Sequence, residues 1–156
     1  MPDLLVRLYD LPEFASEAAV AAAGITVRRA FGPERGVVMD WVSRHFGDPW
    51  LSETAVGFAQ TPITVFVATK AARLLGFACH DTTAKGFFGP TGVDKDMRGQ
   101  GIGEALLITT LKSMRAAGYG YAVIGDPGPV AFYKKRLCAL DIPGSEPGIH
   151  AGMLRP

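Results

Sequence analysis

The chain has 156 residues, of which 48% are hydrophobic and 20% charged, and its formal net charge is +1. This length and apolar content suffice for one domain with a buried core and exclude an intrinsically disordered chain. The balanced charge lacks the broad basic excess of a general nucleic-acid-binding protein, so no nucleic-acid partner is expected.

The N-terminus and the cysteines bear on the cellular compartment. Charged residues interrupt the first apolar residues too early for a signal peptide, and the Ala-rich stretch 15–23 is too short to span a bilayer. Cys79 and Cys138 lie in apolar surroundings, which favours free thiols in a reducing compartment. We therefore expect a soluble cytoplasmic protein without a membrane partner. The three histidines are scattered without metal-ligand spacing, so no metal site is predicted.

The first part of the chain is predicted to alternate between strands and helices. Gly24 is placed to end one helix, and Asp48 with Pro49 is a start signal for another. The predicted elements are a strand at 4–9, a helix at about 13–23, a strand at 25–30, and helices at 33–46 and 48–60.

The second part begins with three strand-like runs separated by short polar turns, which predicts an antiparallel meander. The tail is expected to form a closing hairpin. The predicted elements are strands at 63–69, 74–80 and 86–93, a helix at 101–117, a strand at 121–125, a helix from 128 or 129 to 137, and tail strands at 138–142 and 149–154. This order predicts a mixed α/β (α+β) fold with a mostly antiparallel central sheet flanked by helices.

The most informative segment is Arg98-Gly99-Gln100-Gly101-Ile102-Gly103, at a predicted strand-to-helix junction. Glycines let the backbone approach a ligand closely, and the first turn of a helix offers free N–H groups and a positive dipole end. Arg98 adds a charged donor at the rim. The segment therefore predicts a site for an anion such as a pyrophosphate.

Two other phosphate-binding motifs fit less well. A Walker A loop requires Lys and then Ser or Thr after its last glycine, but Gly103 is followed by Glu104. Glu104 also stands where a dinucleotide fingerprint counted from Gly99 requires its third glycine. Asp126 mimics the ribose-binding acid of that fingerprint, but only 30 residues follow it, too few for the rest of a doubly wound sheet.

The segment 98–103 resembles the Arg/Gln-x-x-Gly-x-Gly/Ala signature of the GNAT superfamily of N-acetyltransferases. The predicted order of elements also agrees with that family from about Ile25 onward. The resemblance implies a single acyl-CoA N-acyltransferase domain over 1–156, with a GNAT-like core at 25–156 and a strand–helix extension at 1–24. The implied donor is acetyl-CoA.

The resemblance also implies roles for particular residues. The backbone amides from Arg98 to Gly103 would hold the CoA pyrophosphate, and Thr91, Gly92 and Val93 would pair with the pantetheine arm. The Val93 N–H would polarise the thioester carbonyl, as a preorganised amide can. Tyr133 would protonate the departing thiolate.

The sequence departs from the family pattern in three ways. Asp126, a candidate cofactor-binding residue, stands where the family often has Asn, seven residues before the Tyr, and Leu137 and Cys138 replace a common Gly-Phe pair. Residues 86–92 contain no carboxylate that could serve as the usual base. His80, Asp81 and Asp126 are the candidates for that base, although each is also a common turn or capping residue.

The acceptor pocket is expected between residues 32 and 60 and in the tail. Trp41, Phe46 and Trp50 are candidate lining residues, but Trp41 shares an apolar stripe and is predicted to lie in the core. Glu53 would contact a cationic amine.

The sequence thus predicts an N-acetyltransferase that moves an acetyl group from acetyl-CoA to a primary amine by direct transfer in a ternary complex. The acceptor would be a small molecule or a peptide. The alternative is an inactive CoA-binding sensor or interaction module. A strand at 4–9 on a sheet edge would also support a homodimer.

Overall fold

The computed structural model describes all 156 residues. Its strands are β1 Leu4–Arg7, β2 Thr26–Arg29, β3 Val65–Lys70, β4 Arg73–His80, β5 Phe87–Val93, β6 Tyr121–Ile124 and β7 Leu140–Asp141. Its helices are α1 Ser16–Ala22, α2 Arg35–Phe46, α3 Asp48–Phe58, α4 Ile102–Ala116 and α5 Val130–Leu137. The strands form one sheet in the order β2-β3-β4-β5-β6-β1-β7, and only the β5–β6 pair is parallel. The predicted fold class is confirmed.

The tail differs from the prediction, because no strand forms at 149–154 and the expected hairpin is wrong. Strand β7 has only two residues and pairs with β1. Gly144, Gly148 and Gly152 all have positive φ angles, which turn the chain every few residues and prevent an extended run. Leu154 at the end of this segment is 95% exposed, so its side chain does not pack on the sheet.

The position of β1 also differs from the prediction. It lies between β6 and β7, antiparallel to both, and therefore not at an edge of the sheet. Leu4 and Val6 are fully buried while Leu5 and Arg7 between them are half-buried. This alternation anchors one face of β1 in the core.

Two hydrophobic clusters cover the two faces of the sheet. The larger packs α4 against the sheet through residues such as Leu106, Ile108 and Leu111, all fully buried. The smaller packs α2 against the other face through Trp41, Val42 and others, which confirms that Trp41 belongs to the core. Because α4 is buried along its length, its N-terminus is held firmly against the sheet.

Strands β5 and β6 separate after a short contact. They pair only at Phe87–Val123 and Phe88–Ile124, after which β5 continues to Val93 paired with β4 alone. The edge of β5 that faces β6 is therefore open from Gly89 to Val93. We call this opening the cleft.

No helix of the chain has a stretch both long and apolar enough to cross a membrane.

Candidate active site

A cavity of about 540 Å³ lies in the cleft, where β5, the N-terminus of α4 and α5 converge. We call it the cleft cavity. Most of the predicted site residues line it, namely Thr91, Gly92, Val93, Arg98, Gly99, Gly101, Ile102, Gly103 and Tyr133. Gln100 is exposed and does not line it, and Asp126 lines a neighbouring cavity. Phe46 and Trp50 contribute aromatic walls.

The glycine-rich turn presents a continuous run of free backbone amides. No hydrogen bond within the chain uses the backbone N–H groups from Arg98 to Glu104. Gly99 and Gly101 have φ angles of +83° and +84°, and Gly101 is the N-cap of α4 in the left-handed conformation. Such angles are favoured only by glycine, so the sequence dictates this turn. The free amides and the positive end of the α4 dipole together form a cradle for an anion.

The charged side chains around the turn compensate one another in part. The Glu104 carboxylate accepts a hydrogen bond from Arg136 Nη2 at 2.7 Å and another from Ser16 Oγ at 3.2 Å. Arg98 Nε donates to the Val93 carbonyl oxygen at 3.3 Å, so this guanidinium is folded back to the rim of the cavity. Arg98 is therefore a cation at the rim that has no carboxylate partner, and it lies beside the anion cradle.

The end of β5 supplies polar backbone atoms to the cleft. The Asp94 N–H donates to the Leu75 carbonyl of β4 at 2.9 Å. Because successive residues of a strand direct their N–H groups to opposite sides, the Val93 N–H points away from β4 and toward the cleft. Gly92 leaves no room for a side chain, because a Cβ at this position would overlap the Phe46 ring.

Tyr133 joins this group from α5. Its residue surface is only 6% exposed, and burial raises the pKa of its hydroxyl to about 12. The hydroxyl therefore keeps its proton at neutral pH and is available as a proton donor.

A second cavity of about 280 Å³ adjoins the cleft cavity and shares Trp50, Thr91, Pro129 and Tyr133 with it. We call it the side cavity. Glu53 and Asp126 line it, and Glu53 accepts a hydrogen bond from Thr83 Oγ1 at 2.6 Å.

His150 also lines the side cavity, and its Nδ1 atom is buried without a hydrogen-bond partner. Sequence analysis missed this residue because it lies in the tail, far along the chain from the other site residues. The tail folds back over the end of β6, where a Cβ on Gly125 would lie 3.5 Å from the His150 ring.

Two of the three candidate bases are not at this site. His80 and Asp81 line a separate cavity beside the C-terminal half of α4, so the prediction that either could serve as the base is wrong. His80 is the last residue of β4, and its side chain lies on the α4 face of the sheet, against Ser113. Nowhere in the chain do three or more His, Cys, Asp or Glu side chains gather where they could hold a metal ion.

The chain belongs to the GNAT acetyltransferase family. The model of the acetyltransferase (GNAT) family matches residues 35–137, which contain the glycine turn, both sides of the cleft and Tyr133. No curated protein matches the chain in sequence.

Solved structures share this fold at low sequence identity. A GCN5-related glucosamine N-acetyltransferase region of a fungal multi-domain GH3 beta-N-acetylglucosaminidase matches with a TM-score of 0.73 and 16% identity, over 90% of this chain and 19% of that one. A GCN5-related N-acetyltransferase from Sphaerobacter thermophilus matches with a TM-score of 0.66 and 21% identity, over 90% of this chain and 48% of that one. The chain thus spans about half or less of the length of these two proteins.

A GNAT family acetyltransferase from Brucella melitensis, in complex with acetyl-CoA, is nearer in length. It matches with a TM-score of 0.52 and 20% identity, over 76% of this chain and 88% of that one. These likenesses concern the fold.

Proposed function

We propose that the chain transfers an acetyl group from acetyl-CoA to a primary amine, by direct transfer while both substrates are bound. One observation carries the proposal. One cavity is bordered by the free amides of the glycine turn, by the inward-facing Val93 N–H and by Tyr133, whose hydroxyl is protonated. The acetyl-CoA in the Brucella structure of similar fold supports the choice of donor.

The residues present fit a CoA thioester. The amides from Arg98 to Gly103 form an anion cradle for the pyrophosphate, and the Arg98 guanidinium adds positive charge. The open edge of β5 from Thr91 to Val93 offers backbone groups to the two amides of a pantetheine arm, as an added strand would pair.

Two groups assist the chemistry. The Val93 N–H is fixed by the β4–β5 ladder, so it can stabilise a negative charge on the carbonyl oxygen without reorganising. The Tyr133 hydroxyl donates its proton to the sulfur of the leaving thiolate. Burial of Tyr133 on α5 restricts the ring to one position.

The acceptor amine enters through the side cavity. Glu53 and Asp126 give this cavity a negative character that favours a cationic amine, either a small molecule or the terminus of a peptide. We assign His150 as the base that removes a proton from the ammonium group, because its imidazole lines the same cavity.

The binding part of the proposal is tested by thermal unfolding with acetyl-CoA, CoA, ATP and NAD. Acetyl-CoA and CoA at about 100 to 1,000 times their Kd should stabilise the protein by roughly 2.7–4.1 kcal/mol, and NAD should not. Gly103→Glu should abolish the shift because it places a carboxylate in the anion cradle. Gly103→Gln is the matched control, since it adds the same bulk without the charge and should keep most of the shift.

The catalytic part is tested by a screen of amines that detects released CoA thiol. Turnover with one class of cationic amine supports the proposal, and His150→Gln should then lower kcat with that amine, because the ammonium group loses its base. Binding of acetyl-CoA without turnover would favour the CoA-binding sensor instead. No stabilisation by either CoA species would contradict both functions.

A further inference from the structure

Three side chains beside the C-terminal half of α4 are connected in series. Ser113 Oγ lies 3.0 Å from His80 Nε2, and His80 Nδ1 lies 3.0 Å from Asp81 Oδ2. His80 and Asp81 are buried, at 2% and 7% exposure, while Ser113 is half-buried and borders a cavity of about 470 Å³. The series shares no lining residue with the cleft cavity.

The partners of each atom fix where the protons lie. Asp81 is ionised, because hydrogen bonds from the Gly86 N–H, Tyr119 and His80 outweigh its desolvation and lower its pKa. An ionised carboxylate only accepts, so His80 Nδ1 carries a proton and donates it to Asp81. Desolvation lowers the pKa of His80, so its Nε2 is an unprotonated acceptor at neutral pH. The hydroxyl of Ser113 therefore donates to His80.

Asp81 is held in one orientation by the surrounding backbone and side chains. Its Oδ1 accepts from the Gly86 N–H and from the Tyr119 hydroxyl, both at 2.7 Å. Its backbone has a φ angle of +60°, an uncommon conformation for a residue other than glycine. Such strain is typical of positions where a side chain must point in a fixed direction.

Arg29 places a positive charge on the other side of the serine. Its guanidinium lies 4.9 Å from the centre of the Phe66 ring and donates from Nη2 to Ser113 Oγ at 3.3 Å. Its other hydrogen-bond partner is the Ile63 carbonyl, and no carboxylate pairs with it. A half-buried cation without a counter-ion beside a hydroxyl oxygen can stabilise negative charge that develops there.

We propose that Ser113, His80, Asp81 and Arg29 form a second catalytic site, which hydrolyses small polar carboxylic esters. Ser113 is the nucleophile, His80 the general base and acid, and Asp81 a positioning residue, the arrangement used by serine hydrolases of unrelated folds. Lys85 and Gln60 add polar walls to the cavity, which favours a short polar ester over a long apolar one. Ser113 lies eleven positions after Ile102 along α4, which separates this site from the glycine turn by about 16 Å.

The reaction balances with water as the only co-reactant. Ser113 Oγ attacks the ester carbonyl carbon while its proton passes to His80 Nε2. The bond to the alcohol oxygen then breaks, and that oxygen takes the proton from His80. Water attacks the acyl-serine with His80 as base, which releases the carboxylic acid and restores the serine.

The test uses the full chain with p-nitrophenyl acetate, and with a fluorophosphonate that labels activated serines. Peptide mass spectrometry should find the phosphonyl group on Ser113 of the unmodified protein. Ser113→Ala should lower the rate at which the protein hydrolyses p-nitrophenyl acetate by at least about tenfold. Ser52→Ala, an exposed serine of α3, is the matched control and should keep the full rate. Asp81→Asn should lower kcat without raising KM, which a merely structural role would not produce.

The proposal is overturned if the fluorophosphonate leaves Ser113 of the unmodified protein unlabelled, or if Ser113→Ala, with its unfolding midpoint unchanged, hydrolyses the ester as fast as Ser52→Ala. The labelling requires no substitution, so misfolding of a variant cannot obscure it. Acetyl transfer to amines should be unaffected by Ser113→Ala, which separates this site from the one in the cleft.

Discussion

Tyr133 illustrates how burial prepares a single residue for a role. The residue is only 6% exposed, and this burial raises the pKa of its hydroxyl to about 12. A phenol in water loses its proton nearer pH 10. The buried hydroxyl therefore stays protonated over the whole range in which the fold is expected to be stable.

Tyr133→Phe tests the acid role directly. The ring remains, so packing and acetyl-CoA affinity should change little, but kcat for amine acetylation should fall about 100-fold because the thiolate loses its proton donor. Tyr121→Phe, which changes a half-exposed tyrosine of β6, is the control and should keep kcat. An unchanged kcat in Tyr133→Phe at saturating substrates would remove Tyr133 from the mechanism.

His80 makes the stability of the protein depend on pH. Desolvation lowers its pKa in the folded state, and Arg29 and Lys85 add to this, while Asp81 opposes it. Just below pH 6.5, His80 is therefore protonated in the unfolded chain but remains neutral in the folded chain. The contribution of neutral His80 to the free energy of unfolding is complete above pH 6.5. It is lost as the pH falls through the lower folded-state pKa.

We expect the free energy of unfolding in urea to be lower at pH 5.5 than at pH 7.5, and this loss to be smaller in His80→Gln. Glutamine has no titratable group, so the variant loses the pH dependence caused by His80 and keeps that of the carboxylates, which titrate at lower pH. An equal loss in both proteins would mean that another group is responsible.

Helix α5 shows an unfavourable choice of residue at an element boundary. It ends at Cys138, which adopts a left-handed conformation with φ 52° and ψ 36° as the C-cap. Glycine is usual at such a position because it has no Cβ to clash. Cys138 is exposed, so its side chain offers no packing that offsets the strain.

Cys138→Gly should therefore raise the free energy of unfolding by about 1 kcal/mol. Cys138→Ala is the matched control: it removes the thiol but keeps the Cβ, and should not stabilise. Chemical denaturation of the three proteins measures both effects. A gain in the alanine variant equal to that in the glycine variant would attribute it to the thiol.

At the scale of the whole molecule, strand β1 contributes to the stability of the fold. Leu4 is fully buried in the larger hydrophobic cluster, whereas Leu5, its neighbour on β1, is half-buried on the other face. A strand between β6 and β7 also connects the tail to the rest of the sheet.

Leu4→Ala should cost about 2–5 kcal/mol of unfolding free energy, because it leaves a cavity in the larger core. Leu5→Ala in the same strand is the control and should cost clearly less. Urea denaturation of both variants tests this. Similar costs would mean that β1 is not anchored by one face.

Much of the fold follows from local patterns in the sequence. The 3.6-residue periodicity of α4, the turn signals around Gly24 and Pro49, and the polar turns between β3, β4 and β5 locate elements to within a few residues. The position of β1 does not follow from them, because strand pairing between residues more than a hundred positions apart leaves no local pattern.

The same distinction holds for the candidate site. The glycine turn could be recognised because its chemistry is contiguous in sequence. The side cavity and the Ser113–His80–Asp81 series could not, because each brings together residues from separate parts of the chain.

The separation of β5 from β6 gives the sheet three edges instead of two. The outer ones, β2 and β7, face solvent, while the third runs along Gly89–Val93 inside the molecule. An outer edge accepts any strand that approaches it, but this inner edge is reached only between α5 and the aromatic wall of Phe46 and Trp50. A chain that pairs at this inner edge therefore runs past the Phe46 ring, which already fills the space over Gly92.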